Sequence, residues 1–249
     1  MKRNPTVMKI AFLVLPVALA AVTSASAQEM PDLNGVWGWG RCVDGTGFQC
    51  MLLEADDERL TARARAFRDA FDEVAAPKYD CAPMTIPHMY TDPYTYQIEQ
   101  FDDRVVITYG KDDVVRTIWL EGHGHEPPAL NQYSPQGYAT GRYEGGALIA
   151  TTTKFTFDPT GLNSDFKIAS STQKRVTERF AKEDDVLRLT VTTEDPFFLA
   201  VPWIYDVRSQ PDPNPVDLPW DCQLEAARQT MSVLKTDYPE DPEVVRIVP

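Results

Sequence analysis

Histidine is almost missing from this chain: only His88, His123 and His125 occur in 249 residues. Cationic side chains are outnumbered, with 24 Lys and Arg against 37 Asp and Glu. No apolar run reaches the roughly 20 residues that a membrane-spanning helix needs, and no Cys-x-x-Cys pair occurs. Each shortage closes a class of function. A chain of net charge −13 repels phosphate backbones, and nucleic-acid binding needs a basic footprint, so nucleic acid is excluded as a partner. The irregular cysteine spacing speaks against zinc, and no metal is expected. There is no Gly-x-Ser-x-Gly elbow, no His-Glu-x-x-His, no P-loop and no dinucleotide fingerprint. Haem attachment lacks its Cys-x-x-Cys-His. No serine carries a recognisable partner, which sets a serine hydrolase aside. The chemistry left open is proton transfer on a bound small molecule, with no cofactor.

What is present starts at the N-terminus. Lys2, Arg3 and Lys9 precede a short apolar run from Ile10 to Ala21, and Ala25-Ser26-Ala27 follows. This order is the secretory signature. It predicts a signal peptide over 1–27, cleaved after Ala27, and a single domain over 28–249 ending in a C-terminal tail. The mature protein is expected in the periplasm or outside the cell. Cleavage removes three cations and no acids, which takes the net charge from −13 to about −16. The four cysteines, an even number in an oxidising compartment, point to two disulfides. Three pairings are open. The favoured one joins Cys42 to Cys50, closing a Gly-rich loop, and Cys81 to Cys222, tying the tail to the body.

The pattern along the chain is mainly β. Asn34–Gly40 reads as a first strand. Leu60, Ala64, Phe67, Phe71 and Val74 recur at steps of three and four, which predicts one amphipathic helix over about Asp56–Val74, packed on a sheet. A proline-rich crossing with Cys81 follows. Strands are then expected over Tyr94–Gln100, Arg104–Tyr109, Val114–Leu120, Tyr138–Tyr143, Ala147–Phe155, Thr172–Ala181, Val186–Thr193 and Phe197–Val207. Their connections are mostly short and rich in Gly or Asp, as hairpins require. Parallel pairs need long helical crossovers, for which there is no room. The expectation is an antiparallel meander of roughly eight to ten strands that curls and closes to remove its edges. A flat sandwich is the alternative.

Gly35-Val36-Trp37 on the first strand resembles the Gly-x-Trp signature that opens the lipocalin barrel. That resemblance implies a lipocalin-like (calycin-type) barrel whose closed end is plugged by Trp37, with an inward arginine packed on it; Arg179 is the candidate. From about Pro31 to Cys222 the chain also resembles a widespread family of exported bacterial proteins. The blocks that carry this are Pro31-Asp32-Leu33-Asn34-Gly35-Val36-Trp37, Arg116–Gly122 with His125, Gly141-Arg142-Tyr143-Glu144-Gly145, Glu178-Arg179-Phe180, Asp195-Pro196 and Pro202-Trp203. Members of that family often carry histidine at the place of Tyr138, tryptophan at Tyr143, an acid at Thr151 and proline at Glu126. A family site using those positions would be altered here. The resemblance implies architecture and compartment more than a reaction.

Chemistry is sought first where histidine is found, since it is the acid–base group near neutral pH. His123 and His125 lie in a loop after a strand, where an extended His-x-His would turn both rings to one side. They read as an acid–base pair, as two ligands of a divalent metal, or as solvated imidazoles of a polar loop. Glu144 and Tyr138 complete the catalytic candidates. Arg142 and Tyr143 are candidate substrate anchors, although Arg142 and Glu144 also suit a plain hairpin salt bridge. Trp203 and Tyr96 are candidate aromatic walls for a ligand. His88, beside Pro87, reads as a packed or surface residue. Two functions follow. One is a cofactor-independent lyase or isomerase acting on a hydrophobic or aromatic small molecule. The other is a non-catalytic carrier of an apolar ligand. They part on whether the histidine loop and Glu144 converge on one cavity.

Overall fold

The computed structural model describes residues 30–72, 76–112, 114–214 and 221–226. The expected signal peptide and its cleavage site lie outside the described residues. Among these residues twelve strands form: β1 (Gly35–Trp37), β2 (Arg41–Cys42), β3 (Tyr96–Gln100), β4 (Arg104–Tyr109), β5 (Val115–Leu120), β6 (Tyr138–Glu144), β7 (Ala147–Thr153), β8 (Asp158–Asn163), β9 (Ile168–Ser170), β10 (Arg175–Glu183), β11 (Val186–Glu194) and β12 (Trp203–Ser209). Ten of them make one curled sheet in the order β1-β3-β4-β5-β6-β7-β10-β11-β12-β2, and β8 pairs with β9 separately.

The two ends of that sheet meet in one short piece of chain. β1 pairs with β3, and β2 pairs with β12. Between them, the Gly38 amide donates to the Gln210 carbonyl at 2.8 Å and the Asp212 amide to the Val36 carbonyl at 2.9 Å. The sheet is therefore barrel-like, not a flat sandwich. Strict alternation fills its inside, because successive side chains on a strand point to opposite faces. Ile98, Ile107, Ile118, Phe180, Val191 and Val207 are all buried. Trp37 is also buried, and its indole donates to the Leu33 carbonyl at 3.0 Å.

The meander is not wholly antiparallel. β5 and β6 run parallel, with Ile118 opposite Ala139 and Leu120 opposite Gly141. Residues 121–137 make the crossover without any helix or strand. Gly141 permits this pairing: a Cβ there would stand 2.7 Å from Ile118 Cγ2. The β8–β9 hairpin, which no alternation announces, is inserted between β7 and β10.

The helix is shorter than its apolar stripe. It spans Ala62–Asp69 (α1). Asp57 Oδ1 takes the Arg59 amide at 2.9 Å, a local turn that competes with helix. Thr61 then caps the first turn, accepting from the Ala64 amide at 3.1 Å. Ala64 and Phe67 are the buried face, and Phe67 meets the Phe198 ring edge-on at 5.3 Å.

Arg179 is not the inward arginine. Val176, Glu178 and Phe180 are the buried residues of β10, so alternation leaves Arg179 half-exposed on the outer face. The arginine inside the barrel is Arg116 on β5. Both expected disulfides form, Cys42–Cys50 and Cys81–Cys222, which suits an oxidising, extracytoplasmic compartment.

Candidate functional site

The loop carrying the two outer histidines is not extended. Gly122 and Gly124 take φ of +85° and +77°, left-handed values that glycine adopts without a Cβ penalty. The rings of His123 and His125 consequently part. His125 stacks on Trp119 at 3.7 Å between centroids, and its Nδ1 lies 2.9 Å from the Tyr138 hydroxyl. Trp119 and Tyr138 alternate with buried Ile118 and Ala139, so this stack lies on the outer face of the sheet. Burial raises the Tyr138 pKa, which weakens that phenol as an acid.

His123 goes elsewhere. It borders a broad basin of about 890 Å³ together with Arg142 and Tyr143, most of whose lining is exposed. Tyr143 accepts from the Gln100 amide at 2.7 Å. Arg142 is held by Glu144 at 2.7 Å, with side chains 48% and 58% exposed. Thus Arg142, Tyr143 and His123 share a surface, Glu144 is spent on Arg142, and His125 with Tyr138 is apart. The loop histidines and Glu144 do not converge on one enclosed cavity.

Trp203 and Tyr96 lie inside the barrel. Trp203 is fully buried against Tyr205, with ring centroids 5.2 Å apart. Tyr96 stacks on Tyr109 at 5.7 Å and shares a hydrogen bond of 3.1 Å with Ser209. Beside them sits a charged centre that the sequence did not announce. Arg116 Nη1 and Nη2 donate to the two Glu178 carboxylate oxygens at 3.0 and 2.7 Å. Tyr90 donates its hydroxyl to the same carboxylate, and Arg116 Nη2 also reaches Thr152 Oγ1 at 3.3 Å. Burial opposes the Arg116 charge, but Glu178 and Tyr90 more than offset it, and the pKa rises. The void left among Tyr90, Tyr96, Tyr109 and Ser209 is about 10 Å³, room for about one water. The interior is packed, not hollow.

A half-open cleft is found at His88. This residue lies on a 3₁₀ turn, His88–Thr91, and is only 3% exposed. It borders a cleft of about 330 Å³ with an apolar wall of Ala76, Pro77, Ala82, Pro83 and Met84 and a charged wall from Asp92, Lys111, Asp158, Asp165 and Lys167. His88 Nε2 is 2.9 Å from Ser164 Oγ. Burial lowers the His88 pKa; Asp92, Asp158 and Asp165 oppose this and Lys111 reinforces it, so the ring is neutral near pH 7. Lys111 pairs with Asp92 at 2.6 Å; burial is the largest single influence and opposes its charge, but Asp92, Asp112 and Tyr94 together outweigh it and raise its pKa. Asp158 takes the Thr160 amide at 2.8 Å.

Behind the cleft, Lys174 is fully buried and braces its two sides. Its Nζ donates to Ile86 O at 2.9 Å and to Gly161 O at 3.3 Å, and it stands over the Phe155 ring at 4.2 Å. Burial lowers its pKa to about 8, with Asp158 and Asp195 opposing. The sequence offered a serine no partner because Ser164 and His88 are 76 positions apart. Among the described residues, no group of three or more His, Cys, Asp and Glu is placed to hold a metal ion, and no helix is long and apolar enough to cross a membrane.

The molecule is thus a disulfide-stapled, barrel-like β protein with a filled interior and a lateral cleft. No protein-family model matches the chain, and no curated protein matches it. Four solved chains match. One is a mutant of the fluorescent protein UnaG, 14% identical over 73% of this chain and 97% of that one, with a TM-score of 0.31. So loose a likeness transfers neither ligand nor chemistry.

Proposed function

We infer that this protein is exported and binds a small molecule, and that the ligand enters the His88 cleft and not the barrel interior. One observation carries this: the void among Tyr90, Tyr96, Tyr109 and Ser209 inside the barrel is about 10 Å³, whereas the cleft holds about 330 Å³. Ligand sites are concave, partly apolar and set with a few convergent polar groups. The cleft has that make-up, with prolines and Met84 on one wall and His88 and Ser164 on the other. The ligand is accordingly a compound with an apolar flank and at least one hydrogen-bonding group. Export follows the signal sequence over 1–27 and the likeness to exported bacterial proteins; N-terminal sequencing of the mature chain is expected to begin at Gln28.

The test is native mass spectrometry of protein purified from its own host's envelope. A non-covalent adduct of a few hundred daltons is expected on the wild type and on Arg142→Ala. It is expected to vanish from Ala82→Trp, which fills the cleft. A bare wild-type mass, or an adduct that survives Ala82→Trp, overturns the reading.

The second reading is a cofactor-independent lyase or isomerase acting through His125, His123, Glu144 and Tyr138. The His125–Tyr138 contact of 2.9 Å favours it. The separation of these side chains over two surfaces weighs against it.

A further inference from the structure

We propose that Ser164 and His88 form a nucleophile–base pair and that the cleft hydrolyses small carboxylic esters. The inference rests on the reading that the cleft admits a ligand, and it adds a reaction to it.

The pair is built from two rigid pieces. Ser164 opens the turn between β8 and β9, directly after the closing pair Asn163–Ile168. Fully buried Asn163 fixes that turn by accepting the Phe166 amide at 2.9 Å, and the Lys167 amide donates to Ser164 O at 3.3 Å. Opposite, the His88 turn is held by Thr91 Oγ1 on His88 O at 2.8 Å and by the Met89 amide on Thr85 O at 2.9 Å. Lys174 ties Ile86, two residues before His88, to Gly161, three before Ser164. An activated nucleophile needs its base within hydrogen-bond reach and held there. Here the heavy atoms are 2.9 Å apart.

The protonation states suit the roles. Burial keeps the His88 imidazole neutral, with a lone pair to accept a proton. Lys167, three residues from Ser164, borders the cleft and is a cation for a developing oxyanion; Lys111 is held by Asp92. The carboxylates of Asp92, Asp158 and Asp165 on the same wall repel a phosphate dianion, whereas a neutral ester enters without that penalty.

The steps balance. Ser164 Oγ adds to the ester carbonyl carbon as its proton passes to His88 Nε2. The carbon–oxygen bond to the alcohol breaks, and the departing oxygen takes the proton from His88. Water then gives a proton to His88 and adds to the acyl-serine. The acid leaves, and the proton returns to Ser164 Oγ.

The experiment treats the full mature protein with a fluorophosphonate ester and reads intact mass and peptide maps. One covalent adduct, on Ser164, is expected in the wild type. Ser164→Ala should take none while melting at the wild-type temperature. Labelling of His88→Gln should be about a hundredfold slower, the range of a lost general base. The wild-type labelling rate should titrate with a midpoint below histidine's ordinary 6.5. Should His88→Gln fail to fold, that pH profile together with Ser164→Ala decides. No adduct on folded wild type, or an adduct that persists in Ser164→Ala, overturns the proposal. A wild type that carries its non-covalent envelope ligand yet takes no label refutes the esterase and leaves the binding cleft standing.

Discussion

Arg116 on β5 and Glu178 on β10 face each other inside the barrel through two parallel hydrogen bonds, with side chains 2% and 0% exposed. A pair this deep is costly to break, because the surviving charge stays buried without a partner. Glu178→Ala should therefore lower stability by about 3–5 kcal/mol. The double replacement Arg116→Met with Glu178→Leu removes both charges and should cost less than the single one. Urea denaturation of the three proteins checks the order; a double variant weaker than Glu178→Ala would refute it.

Lys174 gives stability a particular pH dependence. Its folded pKa, about 8, lies below its ordinary 10.5. Between those values the unfolded chain binds the extra proton, so this group makes stability rise with pH across that window. The full span amounts to at most about 3 kcal/mol. Stability should thus rise between pH 8 and 10 in the wild type relative to Lys174→Met, in paired urea titrations. Parallel curves would remove the buried charge from the account.

The two disulfides differ in the loops they close, with sequence separations of 8 for Cys42–Cys50 and 141 for Cys81–Cys222. Chain entropy favours the longer link by about 2.5 kcal/mol. Replacing Cys81 and Cys222 by serine should therefore lower the urea midpoint more than replacing Cys42 and Cys50.

Arg142 and Glu144 offer a contrast with the buried pair. Both are about half exposed, and surface pairs of this kind are worth about 1 kcal/mol or less. Arg142→Ala should leave the melting temperature within about 4 °C of the wild type.

Much of the barrel was legible in the chain. The Glu144-Gly145-Gly146 turn and the alternation of β10 and β11 follow from local rules, and of the three open cysteine pairings the favoured one forms. The departures have physical reasons. β8 is Asp-Pro-Thr-Gly-Leu-Asn and is buried along its whole length, so no alternation marks it. Residues 121–137 carry neither strand nor helix pattern, and the parallel pairing they allow rests on the missing side chain of Gly141. Helix periodicity gave α1 its face, but Asp57 and Thr61 set its start. At the site, histidine scarcity led to the loop at 121–126, where left-handed Gly122 and Gly124 divide the two rings. The sequence marks His88 only as a packed or surface residue, because its contact with Ser164 comes from a distant hairpin, a relation that no spacing encodes.

The meeting of Val36 and Gly38 with residues 210–212 also has a consequence in time. The first strand of the described chain to be synthesised has one long-term neighbour in β3, but its other border is among the last parts of the described chain to arrive. Until then the sheet has two raw rims, each able to pair with a foreign strand. Non-local closure of this kind is slow to form. The protein's most vulnerable interval therefore falls between the appearance of β3 and the docking of β12, and whatever protects the chain in that interval acts on those two rims.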